Sequence, residues 1–206
     1  MDREAAVTET TPRREATRQR LVNAAIAEFA RRGIDATSVE QLSEAAGFTR
    51  GAFYSNFSSK DDLCIAILEH HRDLVTQALN EAFSTPPDDA GLDWAIDDAL
   101  GLLFSIISPT EDFRMTLMEI RLRALRVPEL AERAERFASE FRPDLVHLME
   151  QLAEYLGVVF RLPAQDLIEV FEAVYFHLDI DGSRSASHLV GPLLRAVSEP
   201  IGGSNG

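Results

Sequence analysis

A single cysteine, Cys64, occurs among the 206 residues. One thiol excludes an intrachain disulfide and a cysteine-held zinc site, and leaves Cys64 as a packing residue or a redox sensor. No apolar run approaches the roughly 18 consecutive residues of a membrane span. The opening stretch, MDREAAVTETTPRREATRQR, has no apolar centre of the secretory kind, so a cytoplasmic location is expected and no membrane partner. Paired carboxylates, a nucleophile beside a base and a phosphate-cradling glycine loop are all missing, so the chain does not read as an enzyme and nothing calls for a cofactor. His70 and His71 are adjacent and point to different helix faces, so no metal ion is expected there. Lysine is nearly absent too: nineteen of the twenty basic residues are arginine and the other is Lys60.

The net charge of −14 argues at first against a nucleic-acid partner, because phosphate repels such a surface. The charge is unevenly placed, however. Residues 13–60 carry eight cations against five anions, whereas residues 61–206 carry eleven against twenty-six. A mildly basic head precedes a strongly acidic body.

Helical apolar periods run through nearly every segment and no alternating strand pattern stands out, which predicts an all-α protein. The first helix is expected over about 14–32, with Leu21, Val22, Ala25, Ile26, Phe29 and Ala30 on one face and Gly33 as its stop. Capping-box spacing, Thr37 with Glu40 or Ser38 with Gln41, opens a helix of about eight residues. Gly47 turns the chain, Thr49 caps a helix of barely two turns over 50–56, and Ser58 or Ser59 opens a long helix over about 59–83. STPPDDAG, residues 84–91, is a loop. Further helices are expected over 92–107, 110–126, 128–156, 164–180 and 186–198, with Pro143 kinking or splitting the third of these. Four segments follow: a disordered tail over 1–12, a DNA-binding domain over 13–60, a helical body over 61–198 and a flexible tail over 199–206.

Two short helices joined by a glycine turn are the sequence form of a helix-turn-helix, whose second helix enters the DNA major groove. Val39, Leu42, Ala46, Phe48 and Phe53 would pin that helix to its neighbours, leaving Thr49, Arg50, Gly51, Ala52, Tyr54 and Ser55 to project outward. Arg50 suits a guanine edge or a phosphate, and Gly51 permits close backbone approach. Thr37, Ser38, Tyr54 and Lys60 suit phosphate oxygens, and Asn56 closes the candidate DNA-binding set.

The run TSVEQLSEAAGFTRGAFYSNFSSKDDL, residues 37–63, resembles the DNA-binding segment of the TetR family of bacterial transcriptional repressors, whose pattern is approximately TTVxxIAxxAGVSxGxxYxxFxxKxxL. Thr37, Val39, Ala45, Ala46, Gly47, Gly51, Tyr54, Phe57, Lys60 and Leu63 match it directly. The sole lysine stands where that pattern has one. Asn56, Ser58 and Ala52 depart from the family's usual residues, which bears on the base sequence read and not on the docking mode. The resemblance implies a three-helix helix-turn-helix domain, a larger helical domain for effector binding and dimerisation, a double-stranded operator as partner, and a homodimer held by the last two helices of each subunit. Leu167, Val170, Phe171, Val174, Tyr175 and Leu178, with Leu189, Val190, Leu193, Leu194 and Val197, offer apolar faces for that role.

It also implies a small-molecule effector of unknown identity. Candidate lining residues combine apolar bulk with polar handles: Trp94, Phe104, Met115, Met118, Arg121, His147, Phe171, Tyr175 and His177. Glu119 is a candidate neutralising partner for Arg121. The expected function is a repressor released from a palindromic operator by its effector. A ligand-free DNA-binding dimer and an activator of the same fold stay open, as do the operator sequence and the regulated genes.

Overall fold

The computed structural model describes residues 12–83, 110–176 and 187–201. The expected helix over 92–107, residues 1–11 of the expected first tail and 202–206 of the last lie outside these, while Pro12 opens a helix and Glu199 and Pro200 stand in a strand where tails were expected. Among the described residues the elements are α1 (Pro12–Arg32), α2 (Val39–Ala45), α3 (Arg50–Tyr54), α4 (Lys60–Phe83), α5 (Glu111–Ala124), α6 (Pro128–Leu156), β1 (Val158–Phe160), α7 (Ala164–Phe176), α8 (Ser187–Val197) and β2 (Ser198–Pro200). The protein is all-α but for one pair of three-residue strands.

Two compact units form. One is Met1–Leu68 with Glu111–Ala131, the other Glu69–Thr110 with Glu132–Gly206. The boundaries fall inside α4 and α6, so the chain does not divide at residue 60 as its charge distribution led us to expect. The reason is α5. Its buried face, Phe113, Thr116, Leu117 and Ile120, packs against α1, which buries Leu21, Val22, Ala25, Phe29 and Ala30. The Thr116 hydroxyl donates to the Ile26 carbonyl at 2.8 Å, so even the polar residue on that face is satisfied. Sequence distance does not fix which apolar face covers which, and α5 belongs to the first unit although 27 residues separate its start from the end of α4.

In the second unit Val75 and Leu79 of α4, Leu148, Met149, Leu152 and Leu156 of α6, Val158, Ile168 of α7, and Val190 and Leu194 of α8 form one core. Helix α6 runs unbroken through Pro143. One missing N–H removes a single bond from a 29-residue helix, and burial of Leu148 and Leu152 beyond it offsets the loss. Gly157, at φ +64°, ends α6. The chain then enters β1, which pairs antiparallel with β2 in the register Val158↔Pro200, Val159↔Glu199, Phe160↔Ser198. No strand was expected, because three residues are too few to display alternation. Among the described residues no helix is long and apolar enough to cross a membrane.

If α5 completes the first unit, Ile120→Ala lowers its stability by about 2 to 5 kcal/mol, the usual cost of truncating a buried isoleucine. Hydrogen exchange should then quicken in α1 and α2; quickening confined to α7 and α8 would contradict the assignment.

Candidate nucleic-acid interface

The residues between α1 and α4 are placed by a series of local devices. Ser38 is the N-cap of α2 in a complete capping box: its hydroxyl accepts from Gln41 N at 3.1 Å, and its own N–H donates to Gln41 Oε1 at 2.8 Å. Of the two spacings the sequence offered, this is the one used. At the other end of α2, Gly47 N–H donates to Glu44 O at 2.9 Å and Phe48 N–H to Ser43 O at 2.8 Å, a Schellman closure. Gly47 has φ +73°, and a Cβ there would lie 2.8 Å from Arg20 Nη2. Glycine is required at this turn by conformation, and a Cβ would in addition make the Arg20 guanidinium shift.

Arginines of α1 brace the turn and the two phenylalanines beside it. Arg20 donates to Ala46 O at 2.8 Å and stands 4.4 Å above the Phe48 ring, and Arg18 stands 4.9 Å above Phe57. Arg14 reaches the Ser55 carbonyl at 3.3 Å. Phe53 and Phe57 are buried against each other, with ring centroids 5.8 Å apart. Their burial fixes the axis of α3.

On that short helix Thr49, Arg50, Gly51, Tyr54 and Ser55 are exposed together, with Ala52 half-buried. Thr49 has extended N-cap geometry but its side chain makes no cap hydrogen bond, so the hydroxyl is left outward. A Cβ on Gly51 would meet only Thr49 Oγ1, at an ordinary 3.7 Å. Nothing within the fold requires glycine there, although glycine weakens a helix relative to alanine. Tyr54 is 48% exposed, stacked edge-on to Phe53. Its hydroxyl accepts from Arg50 Nη2 at 3.4 Å, and Arg50 Nη1 is 2.6 Å from Glu40 Oε1 on α2. The Tyr54 bond, then the Glu40 charge, hold the Arg50 pKa above its ordinary value.

Three of the expected DNA-contacting side chains are turned inward. Thr37 is fully buried and its hydroxyl donates to Gly33 O at 2.7 Å. Asn56 is half-buried; its Nδ2 donates to Ala52 O at 2.8 Å and its buried Oδ1 has no partner. The Lys60 ammonium donates to the carbonyls of Ile34 at 2.6 Å, Thr37 at 2.9 Å and Asp35 at 3.3 Å. An ammonium has three protons, and three carbonyls use them. Burial first, then the neighbouring Arg123 cation, push the Lys60 pKa below its ordinary value. The carbonyls of the α1–α2 loop, in sequence terms mute, occupy this side chain.

The same loop is held by two residues of α5 that sequence reasoning missed. Ile34 N–H donates to Glu119 Oε2 at 3.1 Å, so Glu119 serves the loop. Arg123 grips Asp61 through Nε at 2.6 Å and Nη2 at 3.3 Å, and also binds Asp35. Glu119 and Arg123 sit one turn apart on α5, which is the only sequence signal they give.

The expected effector residues are scattered. Met115, Met118 and Arg121 lie on the exposed side of α5 in the first unit. His147 is exposed on α6, 3.8 Å from Glu150, so it faces solvent where a lining position was expected. Phe171 packs against the second unit's core. Tyr175 lies in α7 without a described side chain, and Trp94, Phe104 and His177 lie outside the described residues. Among the described residues no three His, Cys, Asp or Glu converge to hold a metal ion.

An all-α chain whose head presents a short, braced second helix after a glycine turn has the architecture of a helix-turn-helix protein. Residues 21–67 match the model of the bacterial regulatory proteins of the tetR family. The chain is 34% identical to the regulator AcrR of Shigella flexneri over 50% of this chain and 47% of that protein. It is 27% identical to the repressor SCO4008 of Streptomyces coelicolor over 70% and 80%. The chain spans about half the length of the first of the curated relatives that it matches. In fold it resembles the regulator FadR of Bacillus subtilis, solved with stearoyl-CoA, at a TM-score of 0.65 and 15% identity over 91% of this chain and 99% of that one. The head of the chain, residues 21–67, thus carries the tetR-family segment, and the described fold is shared with solved regulators of that family.

Replacing Lys60 by methionine keeps the stem and deletes the charge, which leaves three carbonyls without their donor. Lys60→Met should destabilise the head by about 1 to 3 kcal/mol in urea unfolding; unchanged stability would show that the carbonyls do not need it.

Proposed function

We propose that this chain is a transcriptional regulator acting as a repressor: a homodimer that occupies a palindromic operator and leaves it when a small molecule binds. The exposed face of α3 carries this reading. Thr49, Arg50, Gly51, Ala52, Tyr54 and Ser55 stand on a helix whose buried side is locked by Phe53, while Ser38 and the start of α2 supply a second point of approach. Arg50 donates to a guanine edge and Tyr54 to a phosphate, in the manner of helix-turn-helix docking. Thr37, Asn56 and Lys60 position this face and do not touch DNA through their side chains.

Dimerisation is supported by α8, which is apolar on two sides. Val190 and Leu194 fill the core of their own unit, while Leu189 is 52% exposed with Pro192 and Leu193 beside it. Covering that outer side with a second copy, together with α7, would supply the two heads that an operator with half-sites one DNA turn, roughly 34 Å, apart requires. A mildly basic head on an acidic body then favours DNA contact through the heads alone. Relatives support the remainder: SCO4008 is a repressor, and FadR of similar fold was solved with an acyl thioester bound. Effector binding would lower operator affinity by a coupling of about 1 to 3 kcal/mol.

Selection of bound duplexes from a random pool tests the reading. The expected product is a two-fold symmetric site, bound by a dimer in sedimentation, and weakened about 10- to 100-fold by Arg50→Ala as loss of one bidentate base contact predicts. Recovery of no enriched sequence, or an unaffected Arg50→Ala variant, would contradict it.

A further inference from the structure

We infer that Glu40 sets the specificity of the proposed DNA interface, by withholding the charge of Arg50 from phosphates while leaving its donors to a base edge. The inference rests on the DNA-binding reading above and adds a residue that reading does not use. Glu40 stands in the first turn of α2, with Oε1 2.6 Å from Arg50 Nη1. The side chains are 57% and 62% exposed, so the fold gains little from the pair. An acidic residue on a surface that must approach phosphates is costly to DNA binding unless it serves some purpose there.

The geometry supplies one. Arg50 is held on one side by the Glu40 carboxylate and on the other by Tyr54, through its hydroxyl at 3.4 Å and its ring at 5.3 Å. The guanidinium is therefore aimed before any ligand arrives. A guanidinium has five N–H donors, and this pair of contacts leaves some for a third partner. Phosphate and guanine would draw on Arg50 differently. Affinity for phosphate comes from neutralising charge and releasing counterions, and an arginine already neutralised contributes little of either. Guanine O6 and N7 are neutral acceptors, so they need correctly placed donors and not net charge. Glu40 thus subtracts more from non-specific than from operator binding. Specificity, which is the ratio of the two, rises.

Glu44 is a control on the same helix: it is exposed and makes no ion pair with Arg50. Full-length wild type, Glu40→Gln and Glu44→Gln would be titrated with a random-sequence duplex and with the selected operator between 50 and 200 mM salt. Glu40→Gln should steepen the logarithmic salt dependence on random duplex by about two units, one for each protomer of the dimer, equivalent to about twelve-fold in affinity across that range. Its operator affinity should rise less, so that the ratio falls, and Glu44→Gln should change the slope by less than half as much. An unchanged slope for Glu40→Gln, or equal effects from both variants, overturns the inference. So does a loss of operator affinity with an altered base preference, which would make Glu40 itself a base reader. Wild-type protein that binds neither duplex overturns the DNA-binding reading instead.

Discussion

The five residues from Gly33 to Thr37 are the constraint on which the head depends. They leave α1 through a positive-φ glycine and deliver the chain to the Ser38 cap, so their path decides where α2 begins and where α3 lies. A loop this short cannot satisfy its own backbone. Thr37 folds its own hydroxyl back to Gly33, and the other polar groups are met from outside: Lys60 takes three carbonyls, Glu119 the Ile34 amide and Arg123 the Asp35 carboxylate. These partners come from the start of α4 and from α5, far apart in sequence. A Cβ on Gly33 would approach Glu119 to 3.0 Å, so the close packing is itself part of the arrangement.

Charge is used in two ways in this head. Arg14, Arg18, Arg20, Lys60 and Arg123 are directed at carbonyls, aromatic faces and carboxylates within the fold, and the basic excess read from the sequence is in large part structural cement. Arg50 differs in standing on the exposed face of α3. Affinity for a nucleic acid would then rest on a few placed donors rather than on a broad positive field, consistent with a chain of net charge −14.

Much of the fold was legible because its signals are local. The α2 capping box, the Gly47 turn and the start of α4 depend on residues within a few positions of one another. What was not legible depends on tertiary partners. Lys60 looked like a phosphate ligand because backbone carbonyls have no sequence signature. Thr37 matched a motif whose hydroxyl, in this fold, is consumed by Gly33. The membership of α5 in the head followed from which apolar face fits α1, and no periodicity encodes that. The β1–β2 pair was missed because it rests on pairing between residues far apart in sequence, such as Val159 with Glu199, and is extended by Arg161 N–H to Val197 O at 2.7 Å.

The central claim is that side chains from α5 set the DNA-reading face through the α1–α2 loop. It is tested most directly by the operator affinity of full-length Glu119→Gln, Arg123→Gln double variant, measured alongside its dimer content. The account predicts at least about ten-fold weaker binding by a protein that remains dimeric, since a displaced recognition helix forfeits one or more base contacts. Wild-type affinity in a folded double variant would contradict it.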